Sequence, residues 1–156
     1  MRKQAEYVKH RPKCQLNSLH DMIVQIYEIQ TPFEAQKLIE LGVDHIGSVV
    51  DSEKYWKSAS IRETIHLTQS AGFQSSLILL FSNLDSILRA LDYYQPNIAH
   101  FCEALTRHNG IRTSCFELMD LQKKVKERFK DIMLMRSIPI PQSGMANGVS
   151  TLELAR

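Results

Sequence analysis

Cysteine is scarce in this chain. Its three thiols, Cys14, Cys102 and Cys115, are an odd number without a Cys-x-x-Cys pair. That pattern speaks against a disulfide framework, and free thiols fit a reducing cytoplasm. His10, Cys14 and His20 lack zinc-ligand spacing and have no fourth ligand nearby, so no metal is expected. Long apolar runs are missing as well. The run Leu77 to Phe81 is far shorter than the roughly 20 residues that span a bilayer. The polar N-terminus has no apolar segment of the secretory kind. Charge of one sign is also lacking: 19 basic against 17 acidic side chains leave +2. This speaks against a dedicated nucleic-acid surface. The local cluster of Lys123, Lys124, Lys126, Arg128 and Lys130 reads as a solvated helix face. Gly144, Asn147 and Gly148 lend flexibility, but they form neither a dinucleotide fingerprint nor a P-loop, and no cofactor is expected.

What remains is a globular composition, 156 residues with 44% apolar content, enough for one core. Residues 1–21 read as a polar leader, partly ordered, and residues 22–156 as one domain of alternating strands and helices. The opening unit is the most legible. Ile23–Tyr27 is a short β-rich run, and Thr31-Pro32-Phe33-Glu34 is a capping box with proline at the first helical position. Phe33, Leu38, Ile39 and Leu41 supply the helix with apolar groups, and Gly42 stands where a left-handed cap is wanted. A second strand follows at His45–Val50.

The same grammar repeats. Ser60-Ile61-Arg62-Glu63 predicts a second capping box, with the helix ending near Gly72. Ser75–Phe81 predicts a third strand whose continuous apolarity suits burial on both faces. Ser82 and Asn83 cap a helix carrying Leu84, Ile87, Leu88 and Leu91 at helical spacing. Ile98–Cys102 is a fourth strand. After a loop containing Gly110, Ser114 to Glu117 opens a helix with Leu118, Leu121, Val125 and Phe129 on one face. Ile132–Ile140 is a fifth strand, and Ser150 to Glu153 is one more helix start shortly before Arg156. The expectation is an α/β fold of about five βα units: a partial (β/α)8 barrel, incomplete at the C-terminus, or else a flavodoxin-like five-stranded parallel sheet.

The residues V-Q-I-Y-E-I-Q-T-P-F-E-A at 24–35 and L-G-V-D-H-I-G-S-V-V at 41–50 resemble the first βαβ unit of phosphoribosylanthranilate isomerase. That family reads V-K-I-C-G-L-T-R-P-E-D-A and then A-G-A-D-x-I-G-F-V-F. The resemblance continues through Ile78 to Asn83, Ile98 to Cys102 and Arg136 to Ile140, and covers residues 22 to 156. It implies an aldolase-type TIM barrel and an aldose–ketose isomerase of tryptophan biosynthesis, an intramolecular oxidoreductase performing an Amadori rearrangement. It also implies a general base at the end of the first strand, a general acid on the sixth and a phosphate site after the last two strands.

The chain departs from that pattern at those points. Tyr27 stands in the place of the basic cysteine, and Glu28 in the place of the following glycine. A phenol of ordinary pKa about 10 is mostly protonated at neutral pH. Lys54 aligns loosely with an anthranilate-contacting arginine, and the acid-bearing strand and phosphate loops have no counterpart in the sequence. The chain alone is therefore expected to be inactive as an isomerase. The alternative is a non-catalytic barrel relative that binds a small phosphorylated or other anionic ligand, or a protein partner. Tyr27, Glu28, Asp51, Lys54, Ser82, Asn83, Glu103 and Pro141 are at or near the strand ends. Of these, Tyr27 and Glu28 hold the family's catalytic base position and its neighbour, and Lys54, Asn83 and Glu103 are the expected substrate contacts. His100 reads as a packed or hydrogen-bonded residue, and Cys102 as a small buried hydrophobe. Open sheet edges, and inward side chains read as Ile26, Val49, Leu80 and Ile138, predict self-association or a complementing chain. The location is expected to be cytoplasmic, with neither nucleic acid nor membrane as a partner.

Overall fold

In a computed structural model, residues 22–103, 106–107, 110–111 and 115–138 are described. The leader 1–21, Ser114, and the chain from Pro139 onward, with its glycine-rich loop and last helix start, lie outside them. The elements run β1 (Gln25–Ile26), α1 (Pro32–Leu41), β2 (His45–Val50), α2 (Ala59–Ser70), β3 (Gln74–Leu79) and α3 (Leu84–Tyr94). They continue with β4 (Ile98–Phe101), β5 (Thr106–Arg107), β6 (Gly110–Ile111), α4 (Cys115–Arg128) and β7 (Met133–Arg136).

Five strands form one parallel sheet in the order β1-β2-β3-β4-β7. A flavodoxin-like sheet would place its first strand between the second and the third. Here β1 lies at the edge, so that alternative is set aside. The register gives a second reason. Ile46, Ser48 and Val50 share rows with Ser75, Leu77 and Leu79, and Leu77 pairs with Ala99. Ile46 packs with Ala35 of α1. Val50, Leu77, Leu79, Ala99 and Phe101 pack with Ile65 of α2, Leu91 and Tyr94 of α3 and Val125 of α4. All four helices thus cover one face of the sheet. A doubly wound sheet carries helices on both faces, whereas a barrel carries them only outside. The fold is a partial (β/α) barrel, with five parallel strands and four helices among the described residues.

Local chemistry explains the elements. The Thr31 side chain accepts from the Glu34 amide, and Glu34 Oε2 accepts from the Thr31 amide at 3.0 Å, closing the capping box. Gly42 takes the left-handed cap at φ 78°. Asn83 caps α3, its Oδ1 accepting from the Ser86 amide at 3.0 Å.

Several expectations need correction. Helix α2 is capped by Ser58, not Ser60, whose hydroxyl instead donates to the Gln30 carbonyl at 2.7 Å. Strand β1 is two residues long, β3 stops at Leu79 and β7 runs over four residues. The loop around Gly110 holds a small antiparallel hairpin, β5 with β6. Ile26 shares a row with Ile46, so it lies on the helix-covered side rather than pointing inward. Phe33 and Leu41 are apolar but exposed. No described helix is long and apolar enough to cross a membrane.

Candidate functional site

The uncovered face of the sheet is concave, and its residues alternate with the helix-packed rows: Tyr27 from the end of β1, Gly47 and Val49 from β2, Ser76 and Ile78 from β3, His100 from β4, Met135 from β7. Tyr27 dominates it. Its ring lies over Gly47, where a Cβ would sit 2.8 Å from Tyr27 Cδ1. Glycine is required there by this close approach. The ring then reaches His100, centroid to centroid 5.3 Å, and its hydroxyl donates to Met135 Sδ at 3.7 Å. Burial, with a smaller push from Cys102, raises the phenol above its ordinary pKa. A raised phenol keeps its proton at neutral pH and is a worse base than a free one.

At the C-terminal end of this face stand His100, Cys102, Glu103 and Ser137. His100 is 7% exposed. Its Nε2 lies 2.9 Å from Ser137 Oγ, while its buried Nδ1 has no hydrogen-bond partner. Burial lowers the imidazole pKa, and Glu103 pulls weakly in the other direction. Cys102 is a free, half-buried thiol. Burial raises its pKa, the Ser137 hydroxyl lowers it by hydrogen bonding, Glu103 raises it and the Arg136 guanidinium lowers it. Arg136 Nη1 donates to the Glu103 carbonyl at 2.9 Å, and Glu103 Oε2 is buried without a partner.

The residues proposed from sequence fall into two groups on this rim. Tyr27 and Glu103 belong to the His100 cluster. Lys54 and Asn83 lie apart from it. Lys54 is exposed, its Nζ 5.0 Å above the Tyr55 ring. Its neighbour Glu53 accepts from Ser86 Oγ at 2.6 Å, which ties this loop to the start of α3. The Asn83 side chain is occupied as a helix cap. Glu28 is exposed and adopts φ 63°, the left-handed region. That conformation is one glycine adopts at less cost than glutamate. Pro141 lies outside the described residues. Ser137 was not among the sequence candidates, because its partner is 37 residues away in the chain and no motif joins them.

Among the described residues no group of three or more His, Cys, Asp or Glu side chains could hold a metal ion. A second concavity of about 350 Å³ lies at the opposite end of the sheet, lined by Asp44, His45, Phe73 and Gln74 among others.

No family model matches the chain, and no curated protein matches it. Among solved structures, an HpcH/HpaI aldolase from Desulfitobacterium hafniense matches 72% of this chain at 14% identity, with a TM-score of 0.46. The chain spans half, 50%, of the length of that aldolase chain.

Proposed function

We propose that this protein is a diverged relative of the isomerase-type barrels. In this reading it does not isomerise phosphoribosylanthranilate as this chain alone, and it binds a small anionic molecule at the C-terminal end of its strands. One observation carries the reading. Tyr27, in the place of the catalytic cysteine, has its ring tilted against His100 and its hydroxyl on Met135. It packs where a base would have to reach a substrate carbon, and its raised pKa removes the remaining incentive to deprotonate. Helices α1, α2 and α3 each follow a strand of the parallel sheet through a loop, and are capped at Thr31, Ser58 and Asn83. Their amino termini therefore face the same rim, and their dipoles favour negative charge there. The test has two arms. Purified protein given phosphoribosylanthranilate should show no turnover above the uncatalysed rate. Inorganic phosphate or anthranilate at millimolar concentration should raise its melting temperature. Turnover would overturn the first half of the reading, and melting unaffected by both anions the second.

A second reading concerns a partner chain. At the β1 edge Met22, Ile23 and Val24 are 84%, 64% and 41% exposed, and on β7, the last strand of the sheet, Met133 is 48% exposed. Among the described residues no strand pairs with the outer edge of β1 or of β7, and exposed apolar side chains beside such edges invite pairing with another chain. Sedimentation at micromolar concentration should show self-association or, with a complementing chain, a defined complex. A monodisperse monomer with a sharp melting transition would count against it.

A further inference from the structure

The His100–Ser137 pair carries chemistry that the isomerase resemblance does not. Ser137 is exposed, while the imidazole it meets is buried. Nε2 and Oγ are 2.9 Å apart, within the distance over which a base takes a hydroxyl proton. His100 is held between neighbours, with Tyr27 against its ring. Glu103 acts on the same imidazole electrostatically, in the sense that favours its protonated form. A serine hydroxyl is a weak nucleophile until an adjacent base accepts its proton, and the base works best when it is neutral at rest and its cation is stabilised. Burial favours the neutral imidazole, and the smaller influence of Glu103 favours its cation.

We propose that Ser137 is an acylatable nucleophile and His100 its general base, and that the substrates are small esters reaching the C-terminal rim. Ser137 Oγ attacks the ester carbonyl carbon as its proton passes to His100 Nε2. The bond from that carbon to the alkoxy oxygen then breaks, and the leaving oxygen takes the proton from the imidazolium, departing as an alcohol. Water, deprotonated in turn by His100, attacks the acyl-serine. This releases the carboxylic acid and restores the hydroxyl. Cys102 is not the nucleophile in this scheme, because burial keeps its thiol protonated.

The test uses the full chain. Incubation with p-nitrophenyl acetate, and separately with a fluorophosphonate, is followed by intact-mass measurement and peptide mapping. One adduct on Ser137 is expected. It should be lost in Ser137→Ala, and acylation should slow about a hundredfold in His100→Gln. Ser137 is exposed, so Ser137→Ala decides the matter alone should His100→Gln fail to fold. Three outcomes would overturn the proposal: no adduct, an adduct that maps to Cys102 or to lysines, or an adduct that persists in Ser137→Ala.

Discussion

The Tyr27 hydroxyl and Met135 Sδ meet at 3.7 Å, although Tyr27 follows the first strand of the sheet and Met135 belongs to the last. Adjacent strands lie about 4.8 Å apart, so the outer strands of a flat five-stranded sheet would be separated by roughly 19 Å. One tyrosine and one methionine side chain bridge that gap only if the sheet curls toward its uncovered face. The helices on the other face agree with that sense of curvature. The contact therefore ties strand order to barrel-like shape, and it places an aromatic ring in the hollow.

Gly47 and Tyr27 should be energetically coupled. A Cβ at Gly47 meets the ring at 2.8 Å and the Ile26 carbonyl oxygen at 3.3 Å. Gly47→Ala should destabilise by about 1–3 kcal/mol through overpacking. Tyr27→Ala should cost about 2–4 kcal/mol by leaving a gap, less than a fully buried aromatic would. In the double variant the clash has no ring to meet, so its loss should be smaller than the sum of the two single losses. Denaturant titration of the four proteins measures this directly.

Glu28 occupies a conformation that costs a side chain roughly 1–2 kcal/mol. Glu28→Gly should recover about 1 kcal/mol, raising Tm by about 2–4 °C in a domain of this size. A fall in Tm would mean that the carboxylate makes a stabilising contact that outweighs the strain.

Tyr94 is fully buried, accepts from the Ser58 amide at 2.8 Å and donates to the Trp56 carbonyl at 2.5 Å. Tyr94→Phe leaves the amide of the α2 cap and that carbonyl without their partner. The expected cost is about 1–3 kcal/mol, with hydrogen exchange at Ser58 rising at the same time.

The Ser58 cap also shows why sequence reading succeeded in some places and failed in others. The Thr31–Glu34 box, Gly42 and Asn83 are local devices, complete within four residues, and each lies where its spacing put it. Ser58 and Ser60 are both plausible caps by spacing. The choice between them rests on Tyr94 holding the Ser58 amide and Gln30 taking the Ser60 hydroxyl, contacts 36 and 30 residues apart in the chain. Strict alternation left two strand orders open, and only the resemblance pointed to that of a barrel. The His100–Ser137 pair followed from neither, because only the register of β4 against β7 brings those residues together.

Acidification should act through His100. Its pKa is lowered in the folded protein by burial, so the unfolded chain binds the proton more readily. Its contribution to stability is fully present above the ordinary value of about 6.5, and it is lost as pH falls through that value toward the folded pKa. Tm should therefore drop between about pH 7.5 and about pH 5.5, and His100→Gln should flatten part of that drop. An identical pH dependence in the variant would show that His100 is not the group responsible.

The contact between Tyr27 and Met135 is the most direct test of the account. With methyl-labelled methionine, a nuclear Overhauser effect should connect the Met135 methyl group to the Tyr27 ring, and Tyr27→Leu should abolish it while leaving the other methionine signals in place. If the Tyr27 ring instead gave effects only to residues of α1 or to none, the sheet would not curl as described. Tyr27 would then be free to act at the strand end, and the case against isomerase chemistry would fail with it.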